Sequence, residues 1–220
     1  MSMLLRARDE KGIEMTDDQL KDEVLILFAA GHETTANALT WTWYLLSENP
    51  KVEAKMQMEA EEVISKNSLP SAADVPKLEF TRKVLTESMR LYPPAWVLVR
   101  ESVQDCVIGG YAIPAGADVI VSQFVNHHDP RFFPDPEEFK PERWTEEMMN
   151  TLPKFAYFPF GGGSRSCVGE PFAWMEGILA LATIARRWSL KHVADHKVEM
   201  LPNITLRPKF GMKMQVHARR

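Results

Sequence analysis

A glycine-rich loop that ends in a cysteine is the part of this chain best suited to chemistry. Residues 160–169 read FGGGSRSCVG, and helix-forming residues follow directly. The N-terminus of that helix would present free N–H groups and the positive end of the helix dipole, which together stabilise a negative sulfur on Cys167. A thiolate held in this way serves as a nucleophile, as a redox thiol or as a ligand for a soft metal ion.

The residues around the cysteine favour a large, flat ligand. Glycines at 161–163 let the backbone approach such a ligand closely, and Phe160 offers a ring to pack beside it. Arg165 can pair with an anionic group on the same ligand. Haem is flat, carries anionic groups at its rim and accepts a cysteine thiolate as axial ligand. The loop therefore predicts a haem site with Cys167 as the metal ligand.

Other chemistries of a glycine-rich cysteine loop need residues that this chain lacks. A phosphate-binding loop requires a lysine after the glycines, and none follows. A phosphatase-like loop requires an arginine six residues after the cysteine, where Ala173 stands. Cys106, the only other cysteine, is too distant in sequence for a short-spaced redox pair or zinc site. The remaining alternative is a structural cysteine in a turn. The fixed offsets of the surrounding residues argue against it.

A long apolar helix is predicted over about residues 17–47. Thr16 and Gln19 have the spacing of a capping box at its start. Residues 24–30 are apolar at consecutive positions, and a helix that is apolar on all sides belongs in the interior of a protein. The polar residues at 31–37 argue against a membrane span.

Those polar residues suggest a second chemical site. The hydroxyl of Thr34 can donate to the carbonyl of Ala30, four residues earlier, and this bond loosens the helix locally. Gly31 leaves a groove in which a small ligand fits, and Glu33 supplies a carboxylate for a proton relay. A helix kink with satisfied side chains is the structural alternative.

The cysteine loop also identifies a family resemblance. Phe160, Gly163, Arg165, Cys167 and Gly169 match the haem-binding signature Phe-x-x-Gly-x-Arg-x-Cys-x-Gly, so the chain resembles the cytochrome P450 monooxygenases. The resemblance implies that these residues and Gly161 hold haem b, with Cys167 as the iron ligand.

The middle of the long helix agrees with this resemblance. Residues 30–35, AGHETT, are similar to the family segment that lies over the haem where oxygen binds. By that resemblance Thr34 and Glu33 are the catalytic residues that help to deliver protons for cleavage of the O–O bond, and Ala30 and Gly31 contact the cofactor. Arg100 resembles the arginine that meets a haem propionate.

Two further motifs resemble structural elements of the family. Glu87 and Arg90 lie in a helix predicted over about residues 78–91, and Arg143 lies in a Pro-Glu-Arg-Trp loop. The resemblance implies that these three residues form a buried triad that fixes the loop under the haem. It also implies that residues 95–99 and the tip of a C-terminal hairpin, over about residues 190–220, line the substrate pocket.

The predicted fold class is mainly α with small β-sheets (α+β), as in the C-terminal portion of the cytochrome P450 fold. Residues 1–220 would form one partial domain, and the N-terminal half of the fold would be absent. The apolar helix would then lose about half its cover and expose a large apolar surface.

Composition narrows the range of partners and compartments. The 220 residues are 45% hydrophobic and 25% charged, and the net charge of −4 argues against nucleic acid as a partner. Two cysteines with different roles argue for a reducing compartment, and a cytoplasmic location is expected. No membrane-spanning segment is predicted.

The predicted function is that of a haem-thiolate monooxygenase. It would activate O2 at the Cys-ligated haem and insert one oxygen atom into a small apolar substrate. By resemblance to the family, electrons would come from NAD(P)H through a ferredoxin or a flavoprotein reductase. The alternatives are a non-catalytic haem binder or inactive truncated remnant, and a thiol-dependent enzyme with Cys167 as its nucleophile.

Overall fold

The structure, a computed structural model, describes residues 4–8, 10–65 and 68–219 of the chain. Its longer helices pack around a common apolar core, and short strands and loops connect them. The helices are α1 (Asp17–Glu48), α2 (Pro50–Val63), α3 (Glu79–Leu91), α4 (Gln123–His127), α5 (Glu146–Thr151) and α6 (Glu170–Arg187).

The strands form small antiparallel sheets of two strands each. β1 pairs with β4, β2 with β3, β5 with β8 and β6 with β7. This combination of long helices and minimal sheets confirms the predicted α+β class. The strands are β1 (Leu98–Glu101), β2 (Cys106–Ile108), β3 (Tyr111–Ile113), β4 (Asp118–Val121), β5 (Trp188–His192), β6 (Met200–Pro202), β7 (Leu206–Pro208) and β8 (Met214–Ala218).

Helix α1 begins with the predicted capping box. The Thr16 hydroxyl accepts the Gln19 N–H at 3.3 Å, and the Gln19 side chain accepts the Thr16 N–H at 3.0 Å. These two bonds satisfy donors that a helix start otherwise leaves unpaired. The helix ends at Glu48, one residue beyond the predicted end, before Pro50 opens α2.

The two halves of α1 lie in different environments. Ala38, Trp41 and Leu46 are buried where the C-terminal half packs against α3, β5 and α6. In the N-terminal half, Leu25 is 54% exposed and Phe28 is 69% exposed. The prediction of an interior helix therefore holds for the C-terminal half and is wrong for the N-terminal half in this chain. The exposure agrees instead with the predicted loss of cover.

Close packing of α6 on α3 places the cysteine loop, which leads directly into α6. A Cβ atom added at Gly177 would lie 2.7 Å from Leu85 Cδ2, so a larger residue there would force the buried Leu85 side chain to shift. Ile178 and Leu181, on the following turn, are fully buried. The start of α6 is thereby fixed relative to α3.

The carboxylate of Glu87, on α3, accepts five hydrogen bonds. Arg90 donates from Nε to Oε2 at 3.0 Å and from Nη2 to Oε1 at 2.9 Å. Arg143 donates from Nε to Oε1 at 2.9 Å, and the Lys140 N–H donates to the same oxygen at 3.1 Å. The Trp144 indole donates to Oε2 at 2.9 Å. The predicted triad forms, and the tryptophan adds a donor that a phenylalanine there would lack.

The two arginines of the triad also hold the preceding loop by its backbone. Glu87 and Arg90 are completely buried, so their polar atoms require partners within the protein. Hydrogen bonds from the guanidinium groups reach main-chain carbonyl oxygens over residues 127–138. Arg90 donates to those of His127, Pro136 and Glu138, and Arg143 to those of Pro134, Asp135 and Glu138.

We expect Glu87→Gln to lower the free energy of unfolding by about 3–5 kcal/mol, because it leaves two buried guanidinium groups without their anion. Trp144→Phe should cost about 2 kcal/mol through loss of one hydrogen bond to a charged group. The matched control is Glu142→Gln, which breaks only the exposed ion pair with Lys55 and should cost less than about 1 kcal/mol. Urea unfolding measures all three. Equal losses for Glu87→Gln and Glu142→Gln would contradict the structural role of the triad.

Candidate functional site

The cysteine loop is closed by its own backbone hydrogen bonds. The Gly161 N–H donates to the Phe158 carbonyl at 2.9 Å, and the Cys167 N–H donates to the Phe160 carbonyl at 2.9 Å. These bonds fold the segment back on itself just before α6. The side chain of Cys167 is exposed at the end of the loop.

Conformation favours glycine at 161 and 163, where φ is positive, and close packing favours it at 162. Gly163 has φ +72°, a left-handed conformation that side chains rarely adopt. A Cβ atom at Gly162 would lie 2.3 Å from Cε1 of Phe155. The sequence analysis assigned the glycines to a flat ligand, whereas at Gly162 the close neighbour is an aromatic ring of the protein itself.

Phe160 connects the loop to the helix that follows it. The side chain is half-buried against the core, and its ring centroid lies 5.6 Å from that of Trp174 on α6. This contact holds the first residue of the signature in place while the cysteine side chain stays exposed. Phe160 thus anchors the start of the loop to the core and to α6.

The surroundings of Cys167 Sγ fit a metal that brings most of its own ligands. A Cβ atom at Gly169 would lie 3.7 Å from Sγ, so this glycine leaves one side of the sulfur uncovered. In the ranges that the structure describes, no group of three or more His, Cys, Asp or Glu residues is placed to hold a metal ion. A site built from protein side chains alone therefore does not fit, whereas haem, which supplies four nitrogen ligands, needs only one thiolate.

Two arginines are available for anionic groups near the loop. A Cβ atom at Gly161 would lie 3.4 Å from Leu98 Cδ1, which places β1 beside the loop. Residues two apart in a strand share a face, so Arg100 lies on the Leu98 face of β1. Arg100 donates to the Val99 carbonyl at 2.8 Å. Within the described ranges, neither Arg100 nor Arg165 is paired with a carboxylate, and both are exposed.

The polar segment of α1 has the predicted local hydrogen bond. The Thr34 hydroxyl donates to the Ala30 carbonyl at 2.6 Å, which confirms that prediction. Gly31 is exposed, and a Cβ atom there would have no neighbour within 4 Å. Ala30 is exposed beside it. The space next to this turn of the helix is therefore open.

Glu33 is bonded to the C-terminal hairpin instead of to its neighbour Thr34. Its Oε1 accepts the Thr205 hydroxyl at 2.7 Å, and Thr205 Oγ1 accepts Asn37 Nδ2 at 3.0 Å. Asn37 can only donate through this nitrogen, so the proton of the hydroxyl is directed at the carboxylate. Sequence reasoning missed both partners. Asn37 lies four residues after Glu33 and shares its helix face, but Thr205 carried no signal.

The turn of the hairpin between β6 and β7 is fixed at two more points. The Trp41 indole donates to the Leu206 carbonyl at 3.0 Å, and the Trp96 indole donates to the Asn203 carbonyl at 2.7 Å. Ile204, between these anchors, is 95% exposed. The hairpin therefore presents one apolar side chain at a rigid tip.

The predicted site residues thus fall into two groups. The loop glycines, Phe160, Arg165 and Cys167 lie together, with Arg100 on the adjacent strand. Ala30, Gly31, Glu33 and Thr34 lie on α1, and of these Glu33 bonds the hairpin. Among the described residues, no hydrogen bond or ion pair joins the α1 group to residues 160–169. No helix in the described part of the chain is long and apolar enough to cross a membrane.

Comparison with known proteins identifies the family. The family model for cytochrome P450 matches residues 1–215. This chain belongs to the cytochrome P450 family. Cyclooctatin synthase of Streptomyces melanosporofaciens is 42% identical over 207 residues, which are 94% of this chain and 45% of that protein. Cyclooctat-9-en-7-ol 5-monooxygenase of the same organism is 42% identical over 194 residues, 88% of this chain and 42% of that protein.

A solved structure shows the same fold. The retinoic acid-bound cyanobacterial CYP120A1 matches with a TM-score of 0.93 and 32% identity, over 99% of this chain and 50% of that one. This cytochrome P450 chain therefore spans about half the length of the relatives that it matches. Throughout that half, the backbone follows the P450 fold.

A buried histidine connects the triad to the cysteine loop. His127 Nε2 accepts the Phe158 N–H at 3.0 Å, and the His127 carbonyl accepts Arg90. Burial, together with the smaller effects of the charges of Arg90 and His128, lowers the pKa of His127 from 6.5 to about 3. The histidine is therefore neutral in the folded protein at pH 7 and keeps its acceptor nitrogen free for Phe158.

We expect the free energy of unfolding to decrease as the pH falls from 6.5 to about 3, because of His127. The folded state takes up this proton only near pH 3 and the unfolded state near pH 6.5, so the unfolded state binds more protons in between. The contribution to the unfolding free energy is full above pH 6.5 and decreases by up to about 1.4 kcal/mol per pH unit below it. His127→Gln, which retains an acceptor, should flatten the profile between about pH 7 and 5, where most carboxylates remain ionised. Urea unfolding at each pH measures this, and an unchanged slope would refute it.

We expect Thr205→Val to loosen the hairpin, since it removes the hydroxyl between Glu33 and Asn37 but keeps the side-chain shape. Amide hydrogen exchange at Leu206 should accelerate by about 5–30-fold, equivalent to about 1–2 kcal/mol. Thr205→Ser keeps the hydroxyl and is the matched control. In a double-mutant cycle with Glu33→Ala, the two losses should not add. Additive losses would show that the Thr205–Glu33 bond contributes nothing.

Proposed function

We propose that this chain carries the cysteine-ligating half of a haem-thiolate monooxygenase that inserts one oxygen atom from O2 into a small apolar substrate. The observation that carries the proposal is the exposed Cys167 thiol on a closed signature loop, near two arginines that pair with no carboxylate and without further side-chain metal ligands in the described ranges. A relative named as a monooxygenase supports the reaction type.

Each part of the loop would have a defined task. Cys167 Sγ would be the axial ligand of haem b, and Arg165 and Arg100 would neutralise its two carboxylates. Phe160, Gly161, Gly163 and Gly169 shape the loop around the sulfur. When bound, haem supplies electron transfer and O2 activation. The protein's own contribution is a fixed thiolate and fixed positive charges.

Glu33 and Thr34 would handle protons. The Thr34 hydroxyl hydrogen is committed to the Ala30 carbonyl, so its oxygen is free to accept a hydrogen bond from a small ligand above Gly31. Half-buried Glu33 supplies the nearest carboxylate and receives the Thr205 hydroxyl. To pass a proton towards Thr34, Glu33 would turn away from the hairpin. The hairpin bond therefore sets the resting position of the carboxylate.

The proposal also includes a class of substrate and a class of electron donor. Exposed Ile204 at the hairpin tip and Val99 on β1 would offer apolar contacts to a small apolar substrate. Electrons would come ultimately from NAD(P)H through a ferredoxin or a flavoprotein reductase. The two cysteines are both free, which supports a reducing, cytoplasmic location.

The test is a carbon monoxide difference spectrum of the chain, reduced and supplied with haem, with and without the remaining half of a related P450. The parent should give a thiolate-type band, and Cys167→Ala should lose it, because no other side chain replaces the sulfur. Cys106→Ala is the matched control. Cys106 is half-buried on β2, its Sγ lies 3.5 Å from the Ser102 hydroxyl, and its replacement should leave the band intact.

The outcomes separate the candidate functions. A band that survives Cys167→Ala, or none under either condition, would refute ligation by Cys167. A band without oxidation of any apolar substrate would support a non-catalytic haem binder. Haem-independent activity abolished by alkylation of Cys167 would support a thiol-dependent enzyme.

A further inference from the structure

A cavity of about 530 Å³ opens between α3, the loop before Cys167 and the first turns of α6. This volume lies within the range of about 300–1,000 Å³ that is usual for ligand pockets. Of the described residues that line the cavity, none belongs to α1 and none is Cys167, but Phe160 and Gly161 form part of its wall. The cavity therefore adjoins the cysteine loop without including the sulfur.

Aromatic side chains supply much of the cavity wall. The ring centroids of Trp144 and Tyr157 lie 4.7 Å apart, and those of Phe160 and Trp174 lie 5.6 Å apart. Aromatic rings pack favourably against other rings in offset or edge-to-face arrangements. A wall of this kind therefore favours a flat, apolar ligand.

The polar atoms of these aromatic residues already have partners in the protein. The Trp144 indole donates to the buried triad carboxylate at 2.9 Å, and the Trp174 indole donates to Glu170 Oε1 at 3.3 Å. The Tyr157 hydroxyl donates to the Thr86 carbonyl at 3.0 Å. The aromatic wall therefore offers ring surface to a ligand but no uncommitted hydrogen-bond donor.

The uncommitted donors of the cavity are two cations of α3. Arg82 is exposed and Lys83 is half-buried, and within the described ranges neither forms an ion pair. The guanidinium carbon of Arg82 lies 5.0 Å from the centroid of the Trp174 ring. A guanidinium that stacks on an indole keeps its N–H edges available for a carboxylate, which it can bind through two parallel hydrogen bonds.

Two carboxylates also line the cavity, but they do not pair with these cations. Glu79 is the first residue of α3 and Glu170 is the first residue of α6. At both positions the positive end of the helix dipole stabilises the negative charge. The positive charges of Arg82 and Lys83 therefore remain available for a ligand.

We propose that this cavity binds a small aromatic carboxylate, with its carboxylate on Arg82 and its rings against the aromatic wall. The ligand would also contact Phe160 and Gly161, at the start of the cysteine loop. The Phe160 carbonyl accepts the Cys167 N–H at 2.9 Å, so a bound ligand should stabilise the closed form of the loop. The proposal goes beyond the proposed function and does not depend on haem binding.

The experiment titrates the haem-free chain with 2-naphthoate and follows the tryptophan indole N–H signals by nuclear magnetic resonance. The signals of Trp144 and Trp174 should shift with a Kd of about 1 mM or lower. Those of Trp41 and Trp188, which do not line the cavity, should stay in place. Amide hydrogen exchange at Cys167 should slow by about 10-fold when the ligand concentration is about ten times the Kd.

A matched probe and matched variants test the recognition of the charge. 2-Naphthamide has the same ring system without the charge and should bind at least about 10-fold more weakly than 2-naphthoate. Arg82→Gln should weaken the binding of 2-naphthoate by at least about 10-fold. Arg187→Gln, at the exposed end of α6 and outside the cavity, is the matched control and should bind like the parent.

Several results would overturn the proposal. They are an unchanged Trp174 signal at about 10 mM 2-naphthoate, equal affinity for the acid and the amide, and equal affinity of the parent and Arg82→Gln. A ferredoxin that shifts the Trp174 signal where 2-naphthoate does not would also overturn it and would assign the cavity to the electron donor. Normal binding of 2-naphthoate without a thiolate-type band would uphold this site and refute only the proposed function.

Discussion

The buried carboxylate of Glu87 determines where the cysteine loop lies. Arg90 bonds Glu87 and the His127 carbonyl, and His127 in turn accepts the Phe158 N–H. The Phe158 carbonyl then closes the turn at Gly161. A continuous series of hydrogen bonds thus leads from the middle of α3 to the loop that carries Cys167. Since every member is buried or backbone, water competes little for these bonds.

Most of the local structure was predictable from the sequence. The capping box at Thr16, the Thr34–Ala30 bond and the Glu87–Arg90 pair all join residues three or four positions apart on a helix, where spacing alone determines contact. The family motif added Arg143, which lies 56 residues away from Glu87. The fold class followed from the same elements.

Contacts between distant segments were not predictable in this way. Glu33 and Thr205 are separated by 172 residues, and neither the hairpin turn nor the polar segment of α1 indicates the other. The role of Gly162 was also hidden, because it depends on the ring of Phe155, which itself has a positive φ of 65°. Which half of α1 is buried and which is exposed depends on the other elements that pack against the helix. This is a property of tertiary packing and not of the local sequence.

The triad arginines hold residues 127–138 by main-chain oxygens, and this type of attachment has an evolutionary consequence. Every residue has a carbonyl group, so side chains at Pro134, Asp135 or Glu138 can change without removal of an acceptor. An inserted or deleted residue, in contrast, would shift the whole row of oxygens past two immobile guanidinium groups. Exposed positions of this segment such as Pro134 and Glu138 should therefore vary among descendants of the gene, while buried His127 and Phe133 and the length of the segment stay constant.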